Sequence, residues 1–119
     1  MKATVSHFEI PARDMDRAAR FYREVFDWTV EPVAWEGHPY LKVRGVAGDS
    51  LGGGIVPAGE GCEHPLLVIH VDGGLPAWIG RIVEAGGTVE QPPARIGDFG
   101  SFARFRDPEG NVLGLWERG

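Results

Sequence analysis

One cysteine, Cys62, is all the sequence carries in 119 residues. No intrachain disulfide can form, and zinc sites built on cysteine pairs are excluded. A chain of that kind suits a reducing compartment. Cys62 stands between Gly61 and Glu63, where the acidic neighbour works against the thiolate, so it reads as an incidental linker thiol and not as a nucleophile. Long apolar runs are missing as well. Leu66–Val71 and the stretch at 113–116 are strand-sized, well short of the ~20 residues that cross a bilayer. Residues 1–10 include His7 and Glu9 and lack the apolar stretch of a secretory leader, so a cytoplasmic location without a membrane partner is expected. Lysine and arginine form no run and the net charge is −5, which argues against a nucleic-acid partner. Arg13, Arg17, Arg20 and Arg23 come nearest to a basic stripe, but Asp14, Asp16 and Glu24 interleave with them. That pattern is a solvated helix face.

What is present is an ordinary globular composition, 43% hydrophobic and 24% charged, in a length that suits a single domain, 1–119. Its organisation is a duplication. Thr29-Val30-Glu31 recurs 59 positions on, as Thr88-Val89-Glu90. Arg44 with Gly48-Asp49-Ser50-Leu51-Gly52 matches Arg106 with Gly110-Asn111-Val112-Leu113-Gly114 at an offset of 62 (44 to 106). The slip between the two offsets belongs in the intervening loops.

In the first half, residues 5–10 alternate as a strand with Phe8 and Ile10 on one face. Met15, Ala18, Ala19, Tyr22, Val25 and Phe26 then mark an apolar helix stripe, with Asp14 as N-cap. Strands follow at 28–35, 40–44 and 51–56. In the second half, Leu66–Val71 is a strand. Leu75, Trp78, Ile79, Ile82 and Val83 form a second stripe, entered through Pro76 and stopped by Gly86-Gly87. Strands at 88–91, 101–106 and 111–117 complete it, the last two joined through a turn at Asp107-Pro108-Glu109-Gly110. Each half is β-α-β-β-β. Module one runs over about 1–57, a linker over about 58–64 that holds two glycines and is flanked by Pro57 and Pro65, and module two over about 65–119. Neither half buries its helix stripe and sheet face alone, so the fold class expected is α+β, with the two modules pairing as curved sheets around a central cup and the helices outside.

Four stretches carry a resemblance to a known family: His7-Phe8-Glu9-Ile10-Pro11; residues 20–28, Arg-Phe-Tyr-Arg-Glu-Val-Phe-Asp-Trp; Glu84-Ala85-Gly86-Gly87-Thr88-Val89; and residues 107–114, Asp-Pro-Glu-Gly-Asn-Val-Leu-Gly. The sequence resembles the vicinal oxygen chelate superfamily of glyoxalases, bleomycin-resistance proteins and extradiol dioxygenases, and within it a glyoxalase-related subgroup of undefined reaction. The likeness covers nearly the whole chain. It is specific for the fold and weak for the reaction, because members of this family perform unrelated chemistry or none. In the catalytic members, the resemblance implies, one His or Glu on the first and last strand of each module holds a divalent ion such as Zn, Ni, Fe or Mn, which polarises vicinal oxygens of the substrate. Members pair modules within a chain or across a dimer, so a homodimer is compatible with the family.

Carried onto this chain, those four positions are His7, Gly52, Leu66 and Gly114. Three have no donor side chain, so no cofactor is expected. Strand alternation places His7 and Glu9 together, opposite Phe8 and Ile10, and His70 with Leu66 and Val68. If the apolar faces meet the helices, His7, Glu9 and His70 converge as an alternative metal-binding trio or as the polar floor of a site for an organic ligand. Glu9 with His7 would also serve as a minimal catalytic acid–base pair. Either histidine can equally be satisfying backbone groups at a strand end.

Trp116 has the parity of Gly114, and an indole beside side-chain-free positions suits a flat ligand, or plugs the space the lost ligands left. Arg104 pairs with an anionic ligand group or a carboxylate such as Glu9, or snorkels to solvent. Tyr40, with Trp35 and His38, flanks a turn and is a rim candidate, as is Asp98-Phe99-Gly100. Trp28 and Trp78 read as core. Gly52-Gly53-Gly54 lacks the following helix and Lys-Ser/Thr pair of a phosphate cradle, and fits close backbone approach or a strand kink. The expected function is binding of a small organic molecule without the complete family metal site. Its alternatives are a lyase, dioxygenase or metal-free isomerase using His7, Glu9 and His70, and an interaction module with a vestigial cup.

Overall fold

The computed structural model describes residues 2–33, 37, 39–45, 51–59 and 61–119. Its elements follow in the order β1 (Ala3–Ala12), α1 (Met15–Phe26), β2 (Thr29–Pro32), β3 (Leu41–Arg44), β4 (Gly53–Pro57), β5 (Leu66–Val71), α2 (Leu75–Glu84), β6 (Thr88–Ile96), β7 (Gly100–Arg106) and β8 (Val112–Arg118). This is βαβββ twice, an α+β fold, as the duplication predicts. The chain divides into two compact units. One, here the N-terminal unit, is His7–Pro65; the other, the C-terminal unit, is Leu66–Gly119 together with the residues up to Ser6. The division cuts β1 in two.

In the N-terminal unit the strand order is β2-β3-β4-β1, with β1 parallel to β4 and the other pairs antiparallel. A parallel return to β1 requires a crossover, and α1 supplies it. The Asp14 carboxylate accepts the Arg17 backbone N–H at 2.9 Å and opens the helix, which closes at Asp27 in the left-handed conformation. One face of this sheet packs against α1: Ala19, Val30, Val43 and Ile55 are buried there, surrounded by Phe8, Met15, Ala18, Tyr22, Trp28 and Leu41. Trp28 is therefore core, as expected. The predicted stripe overreaches at its end. Val25 and Phe26 are about half exposed: Val25 sits at the margin of the stripe, and Phe26 is the last residue of α1, its ring packing only on Tyr22, Trp28 and Phe21 among the described aromatic rings.

In the C-terminal unit the order is β1-β5-β8-β7-β6. The first half of β1 runs beside β5, Asp72 donating its N–H to the Lys2 carbonyl at 3.2 Å. β5 and β8 are parallel; β8, β7 and β6 are antiparallel. Val71, Leu75, Ala103 and Leu115 form the core under α2, with Ile69, Trp78, Ile79, Ile82 and Phe105 against it. Val83, at the stripe's margin, stays exposed.

Two features of this unit run beyond the sequence reading. α2 has no side-chain cap of its own; instead the Glu117 carboxylate, from β8, accepts the N–H of Gly74 at 2.7 Å and of Leu75 at 3.3 Å, placing negative charge at the positive end of the helix. β6 continues through Pro92-Pro93 to Ile96, five residues past its expected end at 91. It can do so because it is the edge strand and because register shifts on either side of Gln91 absorb the prolines. The turn between β7 and β8 is held by the Asp107 carboxylate, which accepts from the backbone of Glu109 and Asn111 and from the Asn111 side-chain amide. Those bonds, led by the Asn111 amide, hold its pKa below the usual aspartate value.

The linker joins the N-terminal unit: Gly59 and Cys62 exchange backbone hydrogen bonds, and Cys62 is buried. Among the described residues no helix is long and apolar enough to cross a membrane.

Candidate functional site

Each unit presents a second sheet face, opposite its helix, and most of the candidate residues fall on these faces. In the N-terminal unit, Phe8 pairs in register with Gly53 and Glu9 with Gly54. Since Phe8 belongs to the core, His7, Glu9 and Gly54 share the other face. The His7 and Glu9 side chains are 24% and 16% exposed, and the His7 Nε2 lies 3.8 Å from a Glu9 carboxylate oxygen. That separation is an ion-pair approach and longer than a hydrogen bond.

Tyr40, just before β3, belongs with them. Its carbonyl accepts the Val33 N–H at 3.0 Å, and its hydroxyl donates to the Glu9 carboxylate. Burial, reinforced by the Glu9 charge and this bond, holds the phenol above its ordinary pKa, so it stays a neutral donor. Its ring lies where a side chain of residue 54 would start: a β-carbon on Gly54 would overlap the Tyr40 Cζ and hydroxyl. Gly53 has a different neighbour, for its β-carbon would lie 2.5 Å from the Phe8 ring on the core face. Close approach thus accounts for Gly53 and Gly54, but where the sequence suggests a backbone or a kink, what chiefly approaches is two aromatic rings. Gly52 precedes β4 and accepts the Phe8 N–H at 3.3 Å.

In the C-terminal unit, Val68 pairs with Gly114 and His70 with Trp116; across the next gap Gly114 pairs with Arg104 and Trp116 with Phe102. The face opposite α2 therefore carries two neighbouring rows, Val68-Gly114-Arg104 and His70-Trp116-Phe102. Trp116 is anchored at both ends. Its indole N–H donates to the Ser6 hydroxyl at 3.2 Å, and that hydroxyl lies 3.3 Å from the Val68 carbonyl it donates to. The His70 ring stands 5.0 Å away by centroids, and the Arg118 guanidinium 5.7 Å from the indole. Arg104 donates to the Gln91 side-chain oxygen at 2.9 Å.

Gly114, one of the four family positions, is closed in: a β-carbon there would lie 3.2 Å from Val68 and 3.4 Å from Leu66, both buried. Leu66 is itself another of the four. The two positions that would hold metal in this unit are thus side by side and without a donor atom.

His7, Glu9 and Tyr40 come together in one unit; His70, Trp116, Arg104 and Gly114 share a face in the other. Trp78 packs on the core under α2, its indole N–H donating to the Asp72 carbonyl. Phe99, from the rim candidate 98–100, is half exposed, and Gly100 begins β7. Trp35 and His38 lie outside the described residues. Among the described residues no three His, Cys, Asp or Glu side chains form a group able to hold a metal ion. Sequence reasoning missed Ser6 and Gln91, and it took Gly54 only as part of the glycine run. What each of the three meets follows from register, which a sequence does not print.

Two βαβββ units, each with its first and last strands parallel and its helix on one sheet face, define a duplicated α+β class of protein. Within that class, the chain belongs to the Glyoxalase/Bleomycin resistance protein/Dioxygenase superfamily, whose family model matches residues 4–115. No curated protein sequence matches it. Solved structures share the fold. A hypothetical protein from Bacillus halodurans is 14% identical with a TM-score of 0.69, the match covering 100% of this chain and 96% of that one. A methylmalonyl-CoA epimerase from Mycobacterium tuberculosis is 18% identical at 0.65, covering 96% and 87%. A superfamily member from Vibrio splendidus is 12% identical at 0.61, covering 98% and 97%.

Proposed function

We propose that this protein binds a small organic molecule against the sheet faces opposite its helices, without the metal centre of the family's catalytic members. The observation that carries the reading is what occupies the four inherited ligand positions: His7 remains, Gly52 and Gly114 have no side chain, and Leu66 with Val68 packs onto Gly114. One imidazole does not hold a catalytic divalent ion, which takes three or more protein donors, so this donor set does not fit the family's metal.

The residues that remain suit an organic ligand. Trp116 offers a flat apolar wall whose polar edge is already bonded to Ser6, so stacking on it leaves no indole N–H unsatisfied. Arg104 and His70 add polar ends to the same face, and Glu9, His7 and Tyr40 supply donors and acceptors in the other unit. None of these roles routes a reaction step through a metal.

The test is a thermal-shift screen of a metabolite and aromatic-compound library on untagged protein in excess EDTA. Binding to the folded state alone raises stability by RT ln(1 + [L]/Kd), about 2.7 kcal/mol at a ligand concentration of 100 Kd, which is a shift of several degrees. Stabilisation by at least one compound with EDTA present is expected. A library that stabilises nothing, or hits that vanish on chelation and return with added metal, would refute the reading.

A further inference from the structure

The Gly54 seat has no role in the fold's core, yet it determines where Tyr40 goes. Gly54 lies beside Glu9 in the β1–β4 register, on the face away from α1. Any other residue there would overlap the Tyr40 ring. A glycine in a strand weakens it, since it packs nothing and loses the most backbone freedom. What that cost obtains here is an aromatic ring seated against Gly54 of β4, with its hydroxyl on the Glu9 carboxylate. The backbone of Tyr40 is itself fixed by the Val33 N–H at 3.0 Å. A free glutamate samples many rotamers; one bonded to a hydroxyl whose own ring is fixed samples fewer.

We propose that Tyr40, seated in the vacancy at Gly54, is the positioning residue that presents the Glu9 carboxylate as a preorganised acceptor for a ligand hydroxyl or amine. The inference deepens the small-molecule reading and rests on it. A carboxylate has about four lone-pair directions and the Tyr40 hydroxyl takes one; a ligand O–H or N–H takes another, and the His7 imidazole at 3.8 Å borders the same group. Holding the acceptor in place beforehand removes the ordering cost that a mobile glutamate would bring to binding.

Two arms test this by NMR. Without any ligand, side-chain scalar couplings of Glu9 should report a single rotamer in the wild type and averaged rotamers in Tyr40→Phe and Gly54→Ala. Tyr40→Phe keeps the ring in its seat and so keeps the fold, which the amide spectrum verifies; Gly54→Ala expels the ring. In the second arm, benzyl alcohol, benzylamine and toluene are titrated as matched probes. The two donor-bearing probes should shift the His7, Glu9 and Tyr40 signals, bind about tenfold more weakly to Tyr40→Phe and Glu9→Gln, and outbind toluene only in the wild type. A purely structural Tyr40 would weaken all three probes alike. Unchanged Glu9 couplings in Tyr40→Phe overturn the positioning role. Donor probes that bind no better than toluene, or not at all, overturn the ligand class. If instead the library screen fails while the couplings change as expected, it is the small-molecule reading that falls and the Tyr40–Glu9 device that stands.

Discussion

Replacing Leu75 by alanine should lower the unfolding free energy by about 2–5 kcal/mol, a drop in Tm on the order of 10 °C for a domain of this size. Leu75 is 1% exposed and opens α2 where the Glu117 carboxylate caps its N–H. Its neighbours Val71, Ala103 and Leu115 belong to three strands of one sheet. Backbones tied into a ladder cannot collapse into the vacated volume, so the cavity persists and the cost sits in the upper part of the range seen for such truncations. Val83→Ala on the same helix, at a side chain 53% exposed, should change stability by about 0.5 kcal/mol or less. Urea denaturation of the three proteins measures both effects. Equal losses at the two positions would contradict the assignment of the core to the Leu75 side of the helix.

Trp116→Ala should have the largest effect on ligand binding. The indole has two separable contributions, its flat face and its N–H. Removing both leaves the Ser6 hydroxyl without its donor and opens a gap between His70 and Phe102, its register partners on either side. Hits from the library screen that contain a ring should lose at least about tenfold in affinity, 1.4 kcal/mol or more. Trp116→Phe keeps a flat face and loses the bond to Ser6, so it should recover most of that affinity while remaining less stable than the wild type by about 1 kcal/mol. Calorimetric titration of ring-containing hits separates the cases. If Trp116→Ala binds as well as the wild type, the indole is a plug and the ligand lies elsewhere.

The sequence made the faces legible and left the registers hidden. Alternation is enough to set Phe8 against His7 and Glu9, and Leu66, Val68 and His70 against Ile69 and Val71, because side chains in a strand have a period of two whatever the strand pairs with. The duplicated Thr-Val-Glu and the apolar stripes likewise fix βαβββ twice. What a residue faces across the neighbouring strand depends on a register that no local pattern encodes. Tyr40 could be placed at a rim but not on Glu9, since the contact needs Gly54, and not Gly52, to stand beside residue 9. The sequence offers Arg104 an anionic partner or a path to solvent, and one bond it makes is to Gln91, two strands' pairing having put a neutral amide within reach. The cap of α2 is a third case: Gly74 has no side chain to signal a helix start, and the carboxylate arrives from Glu117, 43 positions away.

The four inherited positions were legible for a different reason. Their chemistry is a matter of residue identity, and Leu66, Gly52 and Gly114 have no donor atoms in any conformation. Structure adds that Val68 and Leu66 lie against Gly114, so a side chain there would start in contact with aliphatic carbon.

That absence of donors can be measured directly. Elemental analysis of untagged protein, purified without chelator and dialysed against metal-free buffer, should find zinc, nickel, iron and manganese far below one atom per chain. About one atom of any of them per chain, retained through dialysis and lost in His7→Ala, would contradict the account.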